Sequence, residues 1–216
     1  VPYVLAPNFP YLADFNAAVA AWSAAGVSWV PRAASDLNYV SITADLADPT
    51  ACGIAQVGML GGSQFLKVRP AATICAIPMK TTLLHEMAHS MGFMHEFQRA
   101  DRDSYVTGVT GLAGNPYPQF PTDTIFGGPF DYSSITMYST SQIPTMKTIG
   151  GAAISMPTSL SLLDLDRTSA FYFGNLQCSI VGGAGTTLFS GLTSKYGCSS
   201  QCSSRSASNP DRSCTW

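Results

Sequence analysis

The chain is short of charge. Asp, Glu, Lys and Arg make up 11% of its 216 residues, and the formal net charge is −2. No basic run or stripe is present, so nucleic acid is not an expected partner. No stretch approaches 18 apolar residues, so no membrane-spanning helix is expected. No CxxC pair occurs among the six cysteines, Cys52, Cys75, Cys178, Cys198, Cys202 and Cys214. The last four lie in sequence rich in serine and glycine, with no histidine nearby. A disulfide framework is therefore expected rather than a cysteine metal site, and with it a secreted, extracellular protein. No Asn-x-Ser/Thr acceptor and no signal peptide is present, and Val1 reads as a processed terminus. Histidine is scarce too, at three residues.

What is present suffices for one domain with a real core, since 46% of the residues are hydrophobic. In "LADFNAAVAAWSAA" (12–25), Leu12, Phe15, Val19 and Trp22 share one face at helical spacing, and Gly26 follows as a stop. "NYVSITAD" (38–45) alternates Val40, Ile42 and Ala44 against polar neighbours, which predicts a strand. A second strand is expected at Gln64–Arg69. A second helix is expected from about Pro78 to about Met91. Residues 107–157 are dominated by Gly, Pro, Ser and Thr and predict a long irregular wall or lid. In "SLLDLDRTSAFYFG", Ser161 and Asp164 have capping-box spacing and Gly174 ends a third helix. Residues 179–216 are small and polar, and need disulfides to hold a shape.

The histidines fall in "LLHEMAHSMGFMHEFQRADRDSYV" (83–106), at positions 85, 89 and 95. His85 and His89 are four apart, which puts both imidazoles on one helical face. Glu86 points about 100° round the helix and need not be a ligand. It can instead take a proton from a water on the metal. Gly92 can adopt positive φ, end the helix and return the chain so that His95 faces the same ion. Three neutral nitrogen donors and an open position suit one catalytic zinc ion.

The full pattern HExxHxxGxxH is the metzincin signature. With Glu96 after the third histidine, "HEMAHSMGFMHE" resembles the astacin family of zinc metalloendopeptidases. "FQRADRDSYV", "WVPR" (29–32), "NYVSI", "DYSSITMYS" (131–139) and "LSLLDLDRTSAFYFGNLQC" resemble further segments of that family. The resemblance covers about residues 1–178.

It implies an α+β, two-lobed metzincin fold. The upper lobe, about 1–92, would hold a mixed twisted sheet and helices. The lower lobe, about 93–178, would be irregular with a C-terminal helix, and 179–216 would form a cysteine-containing extension packed on the domain. A monomer would hydrolyse internal bonds of protein or peptide substrates, with Glu86 as general base and an edge strand near Gln64–Arg69 pairing with the substrate. The family's Met-turn tyrosine is a switchable zinc ligand. Aligned without gaps, Tyr138 takes that place and Thr136 the methionine's. A one-residue shift would instead make Met137 the turn methionine and put Ser139 in the tyrosine's place. The gapless register is preferred, since a phenol there could stabilise an oxyanion. The expected metal set is thus His85, His89, His95 and Tyr138, with Glu86 and Tyr138 catalytic.

The chain departs from the family in two places. The family buries its mature N-terminus against the glutamate after the third histidine, and this chain starts about a dozen residues late by comparison. A water, a side chain or Val1 must then satisfy Glu96, because an unpaired buried carboxylate is costly. A family cysteine is also missing, with Val27 near its place. The resemblance implies Cys52–Cys75, which leaves three pairings for the other four cysteines, of which Cys178–Cys198 with Cys202–Cys214 is preferred. Arg99, Asp101, Arg102 and Asp103 are expected to form a structural ion network. Met87, Met91 and Met94 are expected to fill the core under the metal. Lys147 and Arg167 are candidates for a pocket beyond the scissile bond, where astacins often favour acidic side chains. Two alternatives stay open: a metzincin of another family, against which Glu96 speaks, and a catalytically silent binding module, against which the intact motif speaks.

Overall fold

A computed structural model describes residues 1–70, 75, 77–110, 117–120, 128–173, 176–181, 187–193 and 213–215. Its main sheet has five strands: β1 (Pro2–Leu5), β2 (Val30–Pro31), β3 (Tyr39–Thr43), β4 (Gly53–Ala55) and β5 (Ser63–Val68). Their spatial order is β2-β1-β3-β5-β4. All pairs are parallel except β4 with β5, which is antiparallel. The expected alternation in β3 holds, with Val40 and Ile42 buried. The 64–69 strand forms as β5, but it lies between β3 and β4 and is not an edge. The free edge on that side is β4, which the sequence reading missed because glycines punctuate it.

Three helices accompany the sheet: α1 (Leu12–Ala24), α2 (Met79–Ser90) and α3 (Leu162–Phe173). The buried stripe of α1 is Phe15, Ala18 and Trp22. Leu12 is exposed, so the face is rotated from the expected one. Helix α1 packs on α2, and α2 lies against β4 and β5. The first core joins Phe15, Trp22, Trp29, Ile42 and Leu66 to Leu83, Met87, Met91 and Phe93, with Val27 buried among them and Met94 packed at its margin. A second core gathers Phe97, Val106, Phe130, Met137, Ile143, Met146 and Ile154.

The expected irregular region carries only β7 (Lys147–Thr148) among its described residues beyond Thr107, and β7 pairs with β6 (Val106–Thr107). Strands β8 (Leu176–Val181), β9 (Thr187–Thr193) and β10 (Ser213–Thr215) form a separate antiparallel sheet in the order β10-β8-β9. The Cys52–Cys75 disulfide is present. Cys198 and Cys202 lie outside the described residues, as do the side chains of Cys178 and Cys214, and with them the preferred C-terminal pairings. No helix among the described residues is long and apolar enough to cross a membrane.

Candidate metal centre

Helix α2 ends where the chemistry requires it. Gly92 adopts φ +101°. Its N–H donates to the His89 carbonyl at 2.8 Å, and the Phe93 N–H donates to Ala88 at 3.0 Å. This is the paired closure of a Schellman motif, which needs a residue in the left-handed region after the cap. The chain then reverses, and His95 follows in extended backbone.

The three histidines converge. Nε2 of His85 lies 3.0 Å from that of His89 and 3.1 Å from that of His95, and the third separation is 3.2 Å. Each Nδ1 faces an acceptor: the Ile135 carbonyl at 2.8 Å for His85, the Phe93 carbonyl at 2.5 Å for His89, and Gln98 Oε1 at 2.6 Å for His95. These acceptors assign the proton to Nδ1 and leave three Nε2 lone pairs aimed at one another. Neutral lone pairs at that spacing repel unless a cation sits between them. Tetrahedral zinc with its usual nitrogen bonds would set the nitrogens about 3.3 Å apart, so the donor set fits that ion. Burial lowers the basicity of all three rings, and that of His95 falls to about 3. They are therefore neutral, as ligands must be.

Glu86 stands beside the triad on α2, 5% exposed. Its Oε2 is buried without a hydrogen-bond partner. Burial raises its pKa to about 8. A cation at the triad would oppose that shift, because nearby positive charge favours the carboxylate. Tyr138 packs against the same group, its ring centroid 4.7 Å from that of His95 and 5.9 Å from that of His85. Burial raises its phenol pKa. Ser139, the other candidate for the tyrosine place, is buried and bonded to Ser141 and Gln142.

Glu96 has the partner that the sequence left open. Arg167 from α3 grips it with two bonds, Nη1 to Oε2 at 2.8 Å and Nη2 to Oε1 at 3.1 Å. The Asp131 N–H also donates to Oε1 at 2.8 Å, and Arg99 approaches to 3.4 Å. Both Glu96 and Arg167 are buried. The Val1 ammonium donates elsewhere, to the Ser28 carbonyl. Arg167 is thus a structural counter-charge and does not line a substrate pocket. Lys147 is exposed on β7. Arg99 pairs with Asp101 through both oxygens, and Arg102 with Asp103. Arg102 also donates to the carbonyls of Phe97, Tyr117 and Pro118, so the expected ion network doubles as a clamp on backbone.

Asp164 has a role that sequence reasoning saw only in part. The capping box is real: the Asp164 N–H donates to Ser161 Oγ, and the Ser161 N–H donates back to Oδ2, each at 2.9 Å. The same carboxylate accepts from the Ile135 N–H at 2.8 Å and from Ser134 Oγ at 2.7 Å. The N–H of Ile135 is thus held by the cap of α3, while the carbonyl of the same residue faces His85 Nδ1.

Comparison with known proteins agrees with this geometry. The model of the peptidase family Astacin matches residues 1–161. The zinc metalloproteinase nas-15 of Caenorhabditis elegans is 32% identical over 174 residues, which cover 74% of this chain and 28% of that protein. The high choriolytic enzyme 1 of Oryzias latipes is 26% identical over 144 residues, 64% of this chain and 50% of that protein. The chain thus spans about a quarter of nas-15 and half of the choriolytic enzyme. The solved structure of that hatching enzyme zinc-protease superposes with a TM-score of 0.65 over 80% of this chain and 88% of its own, at 24% identity, and shares the fold. Myroilysin does so with a TM-score of 0.55 at 17% identity, over 82% and 93% of the two chains. With a family model matched across most of its length and the third-histidine glutamate in place, the chain belongs to the astacin family.

Proposed function

We infer that this protein is a zinc-dependent endopeptidase that hydrolyses internal peptide bonds, with residues 1–178 as its catalytic unit and 179–216 as an extension. The observation that carries this reading is the convergence of three Nε2 atoms beside a buried carboxylate oxygen without a partner. His85, His89 and His95 would hold the ion, with Tyr138 as a further, switchable ligand. Zinc, when bound, supplies Lewis acidity toward water and the peptide carbonyl.

The rest falls to the chain's own groups. Glu86 Oε2 takes a proton from the attacking water and passes it to the leaving amine, so one carboxylate serves as base and then as acid. The Tyr138 phenol stays protonated and donates to the oxyanion that develops on the carbonyl oxygen. The Nδ1 bonds of the histidines keep the rings from turning. A substrate strand adds to the free edge β4, whose Gly53–Ala55 backbone runs along the site. The upper lobe, about 1–92, carries most of the first core, to which Phe93 and Ile135 also contribute, and the lower lobe, about 93–178, carries the second. The even cysteine count and the disulfide support a secreted protein acting on extracellular proteins.

The test is casein hydrolysis with and without a chelator, together with Glu86→Ala. Activity should vanish with chelator and return with zinc. The variant should lose activity but keep stoichiometric zinc. Loss of zinc from the variant would sink the role of Glu86 as base. Zinc binding without cleavage of any unfolded protein would make the domain a silent binding module instead.

A further inference from the structure

The side chains of the site arrive on three segments, and α3 touches each of them. Helix α2 carries His85, Glu86 and His89, and Tyr172 of α3 donates to the Met91 carbonyl at its end. The 131–136 turn presents the Ile135 carbonyl to His85, and Asp164 of α3 accepts from Ser134 and Ile135. The segment after the Gly92 turn carries His95. Arg167 of α3 holds that segment by Glu96, the residue directly after the third histidine.

Glu96 is 2% exposed, and a carboxylate so buried needs a cation against it. Arg167 supplies it as a two-bonded fork, which fixes direction as well as distance. Its Nη2 also donates to the Pro129 carbonyl at 2.6 Å. Glu96 is tied to the same stretch twice more, by the Asp131 N–H at 2.8 Å and by its own N–H to the Thr136 carbonyl at 3.3 Å. One guanidinium thus joins α3, the 129–136 stretch and the residue beside His95.

Two other cations stand elsewhere. Arg99 lies 3.4 Å from Glu96 Oε1, but its shorter bonds go to Asp101 at 2.7 and 2.8 Å and to the Gly128 carbonyl at 3.0 Å. The Val1 ammonium donates to the Ser28 carbonyl at 2.5 Å, and the Val1 carbonyl accepts from the Val30 N–H at 3.0 Å. This ties the amino terminus to β2, the edge of the sheet opposite β4, whose Gly53 lies against Glu86.

We propose that Arg167 is a positioning residue of the metal centre. Through Glu96 it sets where His95 stands relative to the two histidines of α2. Because α3 carries this cation, the site forms independently of the amino terminus. The proposal deepens the zinc-peptidase reading and rests on the zinc centre of that reading.

Wild type is compared with Arg167→Lys, with Arg167→Met and with the chain extended ahead of Val1 by a short Gly-Ser segment. Zinc affinity is read by chelator competition, Tm on the metal-free protein, and kcat and KM on casein per zinc-loaded molecule. Lysine keeps the charge but cannot form the fork. Arg167→Lys should weaken zinc binding about tenfold and lower kcat about as much, with KM within about twofold of wild type. Arg167→Met should lose more on both counts. If it fails to fold, the lysine form decides. The extended chain should match wild type within about twofold in zinc affinity and kcat. A lower Tm for Arg167→Lys with unchanged zinc affinity and kcat would mean a merely stabilising pair and overturn the positioning role. An extended chain about tenfold weaker in either would overturn the independence from the terminus. No cutting of casein at all would overturn the peptidase reading, while the zinc affinities would still decide the role of Arg167.

Discussion

Gly53 is the residue on which the position of Glu86, the proposed base, turns. A Cβ built there would lie 2.5 Å from Glu86 Oε1, 2.6 Å from its Cγ and 2.8 Å from its Cδ. Carbon and oxygen cannot approach so closely, so any other residue must push the carboxylate aside. The fold would tolerate that, because only the end of a side chain moves. The chemistry would not, since displacing a catalytic group by about 1 Å can cost on the order of a hundredfold in rate. Gly53→Ala should therefore lower kcat by roughly 10–100-fold. KM, zinc content and melting temperature should stay near wild type. Steady-state kinetics with metal analysis checks this, and an unchanged kcat would mean that Glu86 acts from another rotamer. Nothing in the sequence marked this glycine, because the approach is between a strand and a helix far apart in the chain.

At the scale of elements, the closing helix does more than end the domain. Its capping carboxylate also holds the Ser134–Ile135 turn, and Tyr172 further along donates to the Met91 carbonyl at 2.9 Å. Burial raises the pKa of Asp164 from 3.8 to about 6, against the pull of its hydrogen-bond donors. Folding thus favours the protonated acid between those two values. The stabilisation this contributes is complete below the unfolded pKa and is lost as pH rises through about 6. The shift corresponds to something on the order of 2–3 kcal/mol. Urea unfolding at several pH values between 4 and 7 should show wild type losing about that much stability relative to Asp164→Asn as pH rises. Parallel pH profiles would show that Asp164 ionises freely in the folded protein.

The elements themselves were largely legible in the sequence. Periodicity and caps gave α1, α2 and α3 to within one or two residues, because each helix carries its own start or stop signal. The alternation of Val40 and Ile42 gave β3. The three histidines and Glu86 were legible because their spacing is local and Gly92 punctuates it. What escaped was pairing between distant segments. The edge position of β4 depends on which strand β5 chooses as neighbour. The Glu96–Arg167 pair joins residues 71 positions apart, and a lone arginine in a helix carries no sign of whether it is solvated or buried. The pocket role suggested for Arg167 failed for that reason.

For the molecule as a whole, the triad is a joint between two cores. His85 and His89 stand on α2, whose Leu83, Leu84 and Met87 belong to the first core. His95 lies beyond the Gly92 turn, and its ring stacks at 5.1 Å on Phe97 of the second. An ion held by all three ties the cores together and binds the folded chain only, since the unfolded chain does not present the ligands as a set. At a hundredfold excess of free zinc over its Kd, such binding adds about 2.7 kcal/mol to stability. For a domain of this size that corresponds to roughly 5–10 °C in Tm. Calorimetry with and without chelator should show a drop of that order. Glu86→Ala, which keeps the ligands, should show the same drop. His89→Ala should start from a low Tm that chelator barely changes. A wild-type Tm that ignores the chelator, with metal loss verified, would mean that the two cores hold together without the ion and that the histidines serve chemistry alone.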